Sequence, residues 1–233
     1  MAFFVAGTFW ENDHRVAFFE VVGTLENGFQ LAMLNEDVDN LYQTNMWLNN
    51  VPLSAANIRS FVGNLGRTLQ TSGFENGANM AYYTNKGRNV RLLSGQQENR
   101  FQGNGDVYPI IMKNGAVVFI RIYNNANQLT QNLINNRANA GTSYYTNAAD
   151  IFIDVNGAAR PNIIGRDIFA YEMSEAGVLY PLGGTDVNIV DDVALWNAAE
   201  GEHVCTDAAV NNRTSDGYAC AGRIAANGGR IDY

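Results

Sequence analysis

Charged residues are scarce in this sequence: they make up 16% of the 233 residues, against about a quarter in an average globular protein. The balance is acidic, with a net charge of -8 at pH 7. The chain has no surplus of lysine and arginine that could displace counterions from a nucleic-acid backbone, so we exclude that class of partner. Asparagine supplies much of the polarity instead, as in Asn49–Asn50 and Asn124–Asn125. Such uncharged polarity suits an extracellular or assembled protein.

Long apolar runs are also missing. No segment reaches the ~18 consecutive apolar residues that a membrane span needs. The N-terminal residues do not combine a basic region with an apolar stretch as a signal peptide does, and the apolar start at Ala2–Gly7 is too short for either role. A chain of 233 residues can nevertheless bury the core of a single domain.

Sequence patterns of catalysis are missing as well. The two histidines, His14 and His203, do not lie in a nucleophile–base pattern. There is no Gly-x-Ser-x-Gly elbow and no phosphate loop ending in Gly-Lys-Ser/Thr. The acidic pair Asp191–Asp192 is most simply a solvated helix face. We therefore expect that the protein is not an enzyme, and a secreted hydrolase is the least favoured function.

The most informative stretch runs from Asp150 to Pro181. It predicts a strand at Ile151–Ile153, a polar connection from Gly157 to Arg166, and a second strand from Asp167. In the second strand two sets of side chains alternate, as expected for the two faces of a sheet: Ile168, Ala170 and Glu172 on one, Phe169, Tyr171 and Met173 on the other.

A β-hairpin is predicted before this stretch. The apolar runs Val107–Met112 and Ala116–Tyr123 flank Lys113-Asn114-Gly115. Asn-Gly between two β-branched runs strongly favours a tight turn. The segment Asn124–Asn147 that follows is polar and without periodicity, which predicts an exposed connection.

An amphipathic helix is predicted near the N-terminus. Asn12 or Asp13 can cap its start, and apolar residues then recur every three or four positions as far as Met33. The predicted inward stripe comprises Val16, Phe19, Val22, Leu25, Phe29, Ala32 and Met33. A helix followed by a mostly antiparallel sheet indicates an α+β fold, with this stripe packed on the sheet.

The sequence has two cysteines, Cys205 and Cys220, 15 positions apart in a segment rich in Gly, Asn and Asp. In an exported protein this spacing predicts a disulfide that closes a surface loop. Two free thiols in a cytosolic protein are the alternative. A zinc site is not expected, because His203 lies close to Cys205 but no second close ligand pair completes the set.

Oxygen ligands cluster in the connection after the strand at Ile151–Ile153. Asp154, Asn156 and Asp167 could together serve calcium, which takes about six to eight oxygen ligands. Their spacing lacks the rest of an EF-hand loop, and Asx-turn hydrogen bonds explain the same residues without a metal. We expect no cofactor, with calcium at these three residues as the alternative.

Three short motifs lie in the second half of the chain. They are Ile-Asp-Val-Asn-Gly at 153–157, Pro-Asn-x-x-Gly-Arg-Asp-x-Phe at 161–169 and Gly-Val-Leu-Tyr-Pro-x-Gly at 177–183. The C-terminal segment adds Cys205, Tyr218-Ala219-Cys220-Ala221 and a last strand at 230–233, and Leu25–Phe29 followed by Asp37–Leu41 lies upstream. From about Val16 onward these segments together resemble bacterial type IV pilins and pseudopilins.

The resemblance implies one pilin-like head domain over residues 1–233. It would comprise a truncated spine-helix region at 1–38, a helix–loop insertion at 39–105, and the sheet with its disulfide-closed C-terminal loop at 106–233. Pilin precursors begin with a basic leader and a long apolar helix. We expect that helix to lie upstream of this sequence.

The function that the resemblance implies is structural: a subunit of a type IV pilus or of a type II secretion-like pseudopilus. Its partners would be further subunits and the secretion or pilus machinery, with membrane contact only through the upstream helix. The product would be extracellular or on the cell surface, and anchored in the inner membrane before assembly. The alternative is an extracellular binding module or adhesin that recognises glycan or protein through Asn- and Tyr-rich loops.

Overall fold

The computed structural model describes residues 3–47, 60, 63–66, 69, 71–74, 83, 88–98, 107–122, 147–184, 204–231 and 233. Within them the fold is α+β, with a long N-terminal helix, an antiparallel sheet and short C-terminal helices. The predicted α+β class with a mostly antiparallel sheet is therefore confirmed. The connection predicted at Asn124–Asn147 lies outside the described residues except for Asn147, which begins a strand. His203 and the pair Asp191–Asp192 also lie outside them.

Six strands form the sheet in the order in which they occur in the chain, and each pairs antiparallel with the next. They are β1 (Thr71–Phe74), β2 (Val107–Met112), β3 (Val117–Ile122), β4 (Asn147–Asp154), β5 (Ile168–Ser174) and β6 (Leu179–Pro181). The predicted strand Ile151–Ile153 lies in the C-terminal half of the longer β4, and β5 begins one residue after the predicted Asp167.

The hairpin between β2 and β3 is confirmed. Its turn needs a left-handed residue, which Gly115 supplies with φ of 89°. The side-chain oxygen of Asn114 accepts a hydrogen bond of 3.1 Å from the backbone N–H of Ala116, and so closes the turn locally. The strand register then pairs Ile111 with Val117.

Both faces of the sheet are covered. On one face Phe169, Tyr171 and Met173 of β5 join a large core that includes the first helix, and on the other Ile168 and Ala170 join a smaller core. The alternation predicted for β5 is therefore the one observed, and all seven of its residues are buried. Because both faces of the sheet are covered, polar side chains at the ends of the connection from β4 to β5, such as Asp154 and Asp167, are buried as well.

The first helix, α1, spans Phe3–Asn35. The prediction that it begins at Asn12 or Asp13 was wrong, because both residues lie inside the helix. The predicted phase was also wrong in its N-terminal half: Phe18 and Val21 are buried, whereas Phe19 is 45% exposed and Val22 only partly buried.

The inward face of α1 is defined by its contacts with the sheet. Phe18 packs edge-on against Phe169, with ring centroids 5.2 Å apart, and lies 5.8 Å from the ring of Tyr171. Further along, Leu25, Phe29, Ala32 and Met33 are buried as predicted. They share one core with residues of β2 and β3, among them Ile110 and Val118.

The C-terminal half of α1 is also tied to the turn that joins β5 to β6. The side-chain amide of Gln30 donates to the carbonyl oxygen of Ala176 at 2.5 Å. After the helix, the backbone N–H of Leu41 donates to the carbonyl oxygen of Glu175 at 2.8 Å. These bonds join segments that are more than a hundred residues apart in sequence.

The C-terminal segment is helical, not the simple loop that was predicted. It contains α2 (Asp207–Asn211) and α3 (Cys220–Ala226), and Cys205 is bonded to Cys220 as predicted, with Cα atoms 5.1 Å apart. No strand forms at the described residues Arg230, Ile231 and Tyr233, so the predicted last strand is not observed there. Within the described ranges, no helix is long and apolar enough to cross a bilayer.

Candidate functional site

The connection between β4 and β5, which we call the polar loop (residues 154–167), brings the three predicted ligand residues together. Asp154 is the last residue of β4 and Asp167 immediately precedes β5, and both are fully buried. The side-chain oxygen of Asn156 lies 2.9 Å from Asp154 Oδ1 and 3.3 Å from Asp167 Oδ2. Antiparallel pairing of β4 with β5 therefore places residues 13 positions apart around one point.

Backbone groups of the loop hold the Asp167 carboxylate in place. It accepts hydrogen bonds of 2.6 Å from the N–H of Asn162 and 2.5 Å from the N–H of Ile163. Asp154 accepts from the hydroxyl of Tyr83 and, at 3.2 Å, from the N–H of Asn156. The bond from the Asn156 N–H to Asp154 is an Asx turn of the kind that the sequence predicted for the loop. The bonds to Asp167 differ, because their donors precede it by four and five positions.

The electrostatics of the two carboxyls are unfavourable. Burial raises the pKa of Asp154 well above its usual range, and the nearby charge of Asp167 raises it further. Burial likewise raises the pKa of Asp167, to about 6, against the opposing effect of its hydrogen bonds from Ile163 and Asn162. Among the described residues, no lysine, arginine or histidine forms an ion pair with either carboxyl. Keeping both ionised at neutral pH therefore costs free energy.

A metal centre built only from acidic, histidine or cysteine side chains is not found: the part of the chain that the structure describes has no group of three or more of them that could hold an ion. The polar loop has two such side chains. Any cation bound there would need amide and carbonyl oxygens as well.

The disulfide lies directly beside the polar loop. A Cβ added to Gly165 would come within 2.9 Å of Cys220 Sγ, so the loop backbone and the bridge are in close contact. Arg223, which is buried, donates to the carbonyl oxygen of Cys205 at 2.7 Å and to Asp207 Oδ1 at 2.6 Å. Its guanidinium also lies 4.7 Å from the centre of the Tyr233 ring. The C-terminal segment is thus one packed unit with the loop.

A pocket of about 430 Å³ opens where the polar loop, the 91–95 segment and α2 meet. Three arginines line it, and its described lining has no acidic residue. That lining comprises Arg91, Leu92, Leu93, Gly95, Ile163, Arg166, Val210, Asn211, Arg213 and Tyr233. Among the described residues, none of the three guanidinium groups has a hydrogen-bond or ion-pair partner. In a chain of net charge -8, this pocket, called the arginine pocket below, is a local positive region suited to an anion.

Two parts of this candidate site were not predicted from the sequence: the contributions of Asn162 and Tyr83, and the arginine pocket. Asn162 and Tyr83 contribute to the polar loop, and a signal for Asn162 existed in the Pro161-Asn162 turn, where Asn162 has a left-handed φ of 52°. The arginine pocket gave no signal, because its cations come from three separate segments.

Comparison of the chain with known protein families, with characterised proteins and with solved structures finds no match. The functional conclusions therefore depend on the chain's own residues and geometry.

Proposed function

We propose that the chain is the head of an exported, pilin-like structural subunit that assembles into a type IV pilus or a type II secretion-like pseudopilus. The proposal combines the motif resemblance with one structural observation: the large hydrophobic side chains found exposed among the described residues all lie on α1. They are Phe19, Leu31 and Leu34, and Leu34 is 75% exposed.

These three residues share one side of the helix. At about 100° per residue they fall within an arc of about 120°, away from the buried stripe at Phe18, Val21 and Leu25. Glu20, Asn27 and Gln30 are exposed in the same arc, so this side presents three apolar contact points among polar residues. Copies of the helix that pack together would bury those points. This is the use that a central helix bundle in a filament would make of α1.

The length of α1 supports the same proposal. A helix of 33 residues is about 50 Å long. Six strands spaced about 4.8 Å apart make a sheet roughly 24–29 Å wide, and the eight residues of β4 span roughly 27 Å. The sheet of a single subunit is therefore shorter than α1 in both directions. Residues outside the sheet, such as Leu69 beside Gly28, pack on part of the helix, and neighbouring subunits would cover the remainder.

The remaining expectations follow from the same proposal. The partners are further subunits and the secretion or pilus machinery, the protein has no enzymatic activity, and the upstream apolar helix provides the only membrane contact. The disulfide is consistent with an oxidising extracellular location. The mature product is extracellular or on the cell surface.

To test the proposal, the complete native gene, with any upstream sequence, is expressed in a bacterial host. The expected product is processed at a leader and recovered in sheared surface filaments or held in the inner membrane. The double variant Leu31→Ser/Leu34→Ser should lower filament yield without lowering the melting temperature of the isolated head. Ala225→Ser, an exposed apolar position on α3, is the control and should assemble normally. A native gene that begins at Met1, with a cytosolic and reduced product, would overturn the proposal.

A second candidate function, an extracellular binding module, is favoured by the arginine pocket. Arg91, Arg166 and Arg213 would recognise a carboxylated or sulfated group on a glycan or protein. The test measures binding of a sulfated glycan and of its uncharged counterpart to the chain. Salt-sensitive binding that is lost in Arg166→Gln but kept in Arg230→Gln, which lies outside the pocket, supports this function. Equal binding by both variants rules it out.

A further inference from the structure

The side-chain oxygens in the polar loop face other oxygens. Asn162 is 1% exposed, and its side-chain oxygen lies 2.9 Å from the carbonyl oxygen of Ala159 and 3.1 Å from that of Gly157. The side-chain oxygen of Asn156 lies 3.1 Å from the same Ala159 oxygen and 3.3 Å from that of Gly157, in addition to its approach to the two carboxylates. Every group in these contacts is a hydrogen-bond acceptor.

Acceptors this close repel one another unless positive charge lies between them. Either the two amides are turned so that their NH2 groups donate to these oxygens, or the oxygens surround a cation. The distances of 2.9–3.3 Å fit both arrangements, since N–H···O hydrogen bonds have about the same length. With Ca–O bonds of about 2.3–2.6 Å and about six to eight ligands, neighbouring ligand oxygens lie roughly 2.8–3.5 Å apart.

We propose that the polar loop binds a calcium-sized divalent cation through the carboxylates of Asp154 and Asp167, the side-chain oxygens of Asn156 and Asn162, and the backbone carbonyls of Gly157 and Ala159. This site does not depend on filament assembly. It adds an amide and two carbonyl ligands to the three residues apparent from the sequence.

The chemistry of the ligand set selects the class of ion. All six donors are hard oxygens, which favours calcium or magnesium over zinc, because zinc prefers nitrogen and sulfur. Mixed carboxylate, amide and carbonyl ligands on a loop are typical of calcium, whereas magnesium retains several waters and needs a near-ideal octahedron. The cation would also neutralise two carboxylates that have no cationic side chain beside them among the described residues.

One hydrogen bond favours the amide orientation that the cation requires. The side-chain NH2 of Asn156 donates to the carbonyl oxygen of Arg160 at 3.4 Å. Turning this amide would replace that bond by a contact between two oxygens. The present orientation therefore satisfies the outer side of the loop and directs oxygens inward.

The first experiment titrates Ca2+ into the EDTA-treated full chain and follows heat release and melting temperature up to about 10 mM, since extracellular calcium modules bind with dissociation constants of about 0.1–1 mM. We expect saturable binding at one site, a rise in melting temperature with Ca2+, and a smaller rise with Mg2+. Asp154→Asn should weaken binding by at least about tenfold. Asp39→Asn, which removes an exposed carboxylate outside the loop, should leave the affinity unchanged.

The second experiment separates a cation from turned amides. In Asn156→Asp the new carboxylate is an additional charged ligand if the loop holds a cation, so calcium should bind at least as tightly as in the wild type and restore the melting temperature. If the wild-type amide instead donates to Asp154 and Asp167, the variant places a third acceptor between them. It would then melt lower regardless of calcium. That result, or a folded wild-type chain whose melting temperature does not respond to calcium, would overturn the proposal.

Discussion

The carboxylate of Glu26, on α1, accepts a hydrogen bond of 3.0 Å from the backbone N–H of Leu179, the first residue of β6. The two residues are 153 positions apart. This bond joins the helix to the last strand of the sheet and provides an acceptor for an edge-strand donor.

Replacing this acceptor should loosen the contact between α1 and β6. Because a hydrogen bond to a charged group contributes about 1.5–3 kcal/mol, we expect Glu26→Ala to lower the free energy of unfolding by about that amount. Glu26→Gln retains an oxygen acceptor and should lose about 1 kcal/mol or less. Urea denaturation of both variants provides the measurement, and equal losses would contradict the assigned bond.

Adjacent phenylalanines on α1 test the observed helix phase. Phe18 is buried against Phe169, so Phe18→Ala should cost about 3–5 kcal/mol of unfolding free energy. Phe19 is nearly half exposed, so Phe19→Ala should cost about 1 kcal/mol or less. Each variant is the matched control of the other in the same denaturation experiment. If Phe19→Ala costs more, the phase originally predicted from the sequence is the correct one.

Alanine substitutions at two turn glycines distinguish the cost of backbone strain from the cost of a steric clash. Gly115 and Gly177 both have positive φ, at 89° and 75°. A Cβ at Gly115 would meet nothing within 4 Å, whereas one at Gly177 would lie 2.9 Å from the Cβ of Phe29. Gly115→Ala should therefore lose only the left-handed strain of about 1–2 kcal/mol, and Gly177→Ala should lose more. Melting curves that show the two losses to be equal would exclude close packing between the β5–β6 turn and α1.

The disulfide should contribute measurably to stability. Reducing it, or replacing both cysteines by serine, should lower the free energy of unfolding by roughly 3 kcal/mol for a closed loop of about 15 residues. The double serine variant is the control, because its stability should not respond to reductant. Alkylation of both thiols verifies that the wild-type chain has been reduced. If the denaturation midpoint of that reduced chain is unchanged, this expectation is contradicted.

Local sequence signals predicted the strands from β2 to β5 but not β1. The β2–β3 hairpin depends on a turn that Asn114 and Gly115 specify by themselves, and the alternation in β5 needs only the period of a strand. The disulfide was predicted for a similar reason, since the chain has only two cysteines. In each case the determining residues lie close together or have no competing partner.

The helix phase was missed because apolar residues occur in adjacent pairs. In Phe18–Phe19 and Val21–Val22, a spacing of three or four residues is satisfied by either member, so periodicity alone cannot choose between them. Packing against Phe169 makes the choice. The arginine pocket was missed for a related reason: contacts between the 91–95 segment, the polar loop and the segment around α2, not spacing along the chain, make its side chains neighbours.

The strict sequence order of the strands has a consequence for how this protein can diversify. Each connection simply returns the chain to the adjacent strand, so the neighbours of every strand follow from chain order alone. Doubling such a connection costs only about 0.6 kcal/mol of closure entropy. A connection that makes no contacts of its own could accordingly be lengthened while the order of the paired strands is left unaltered.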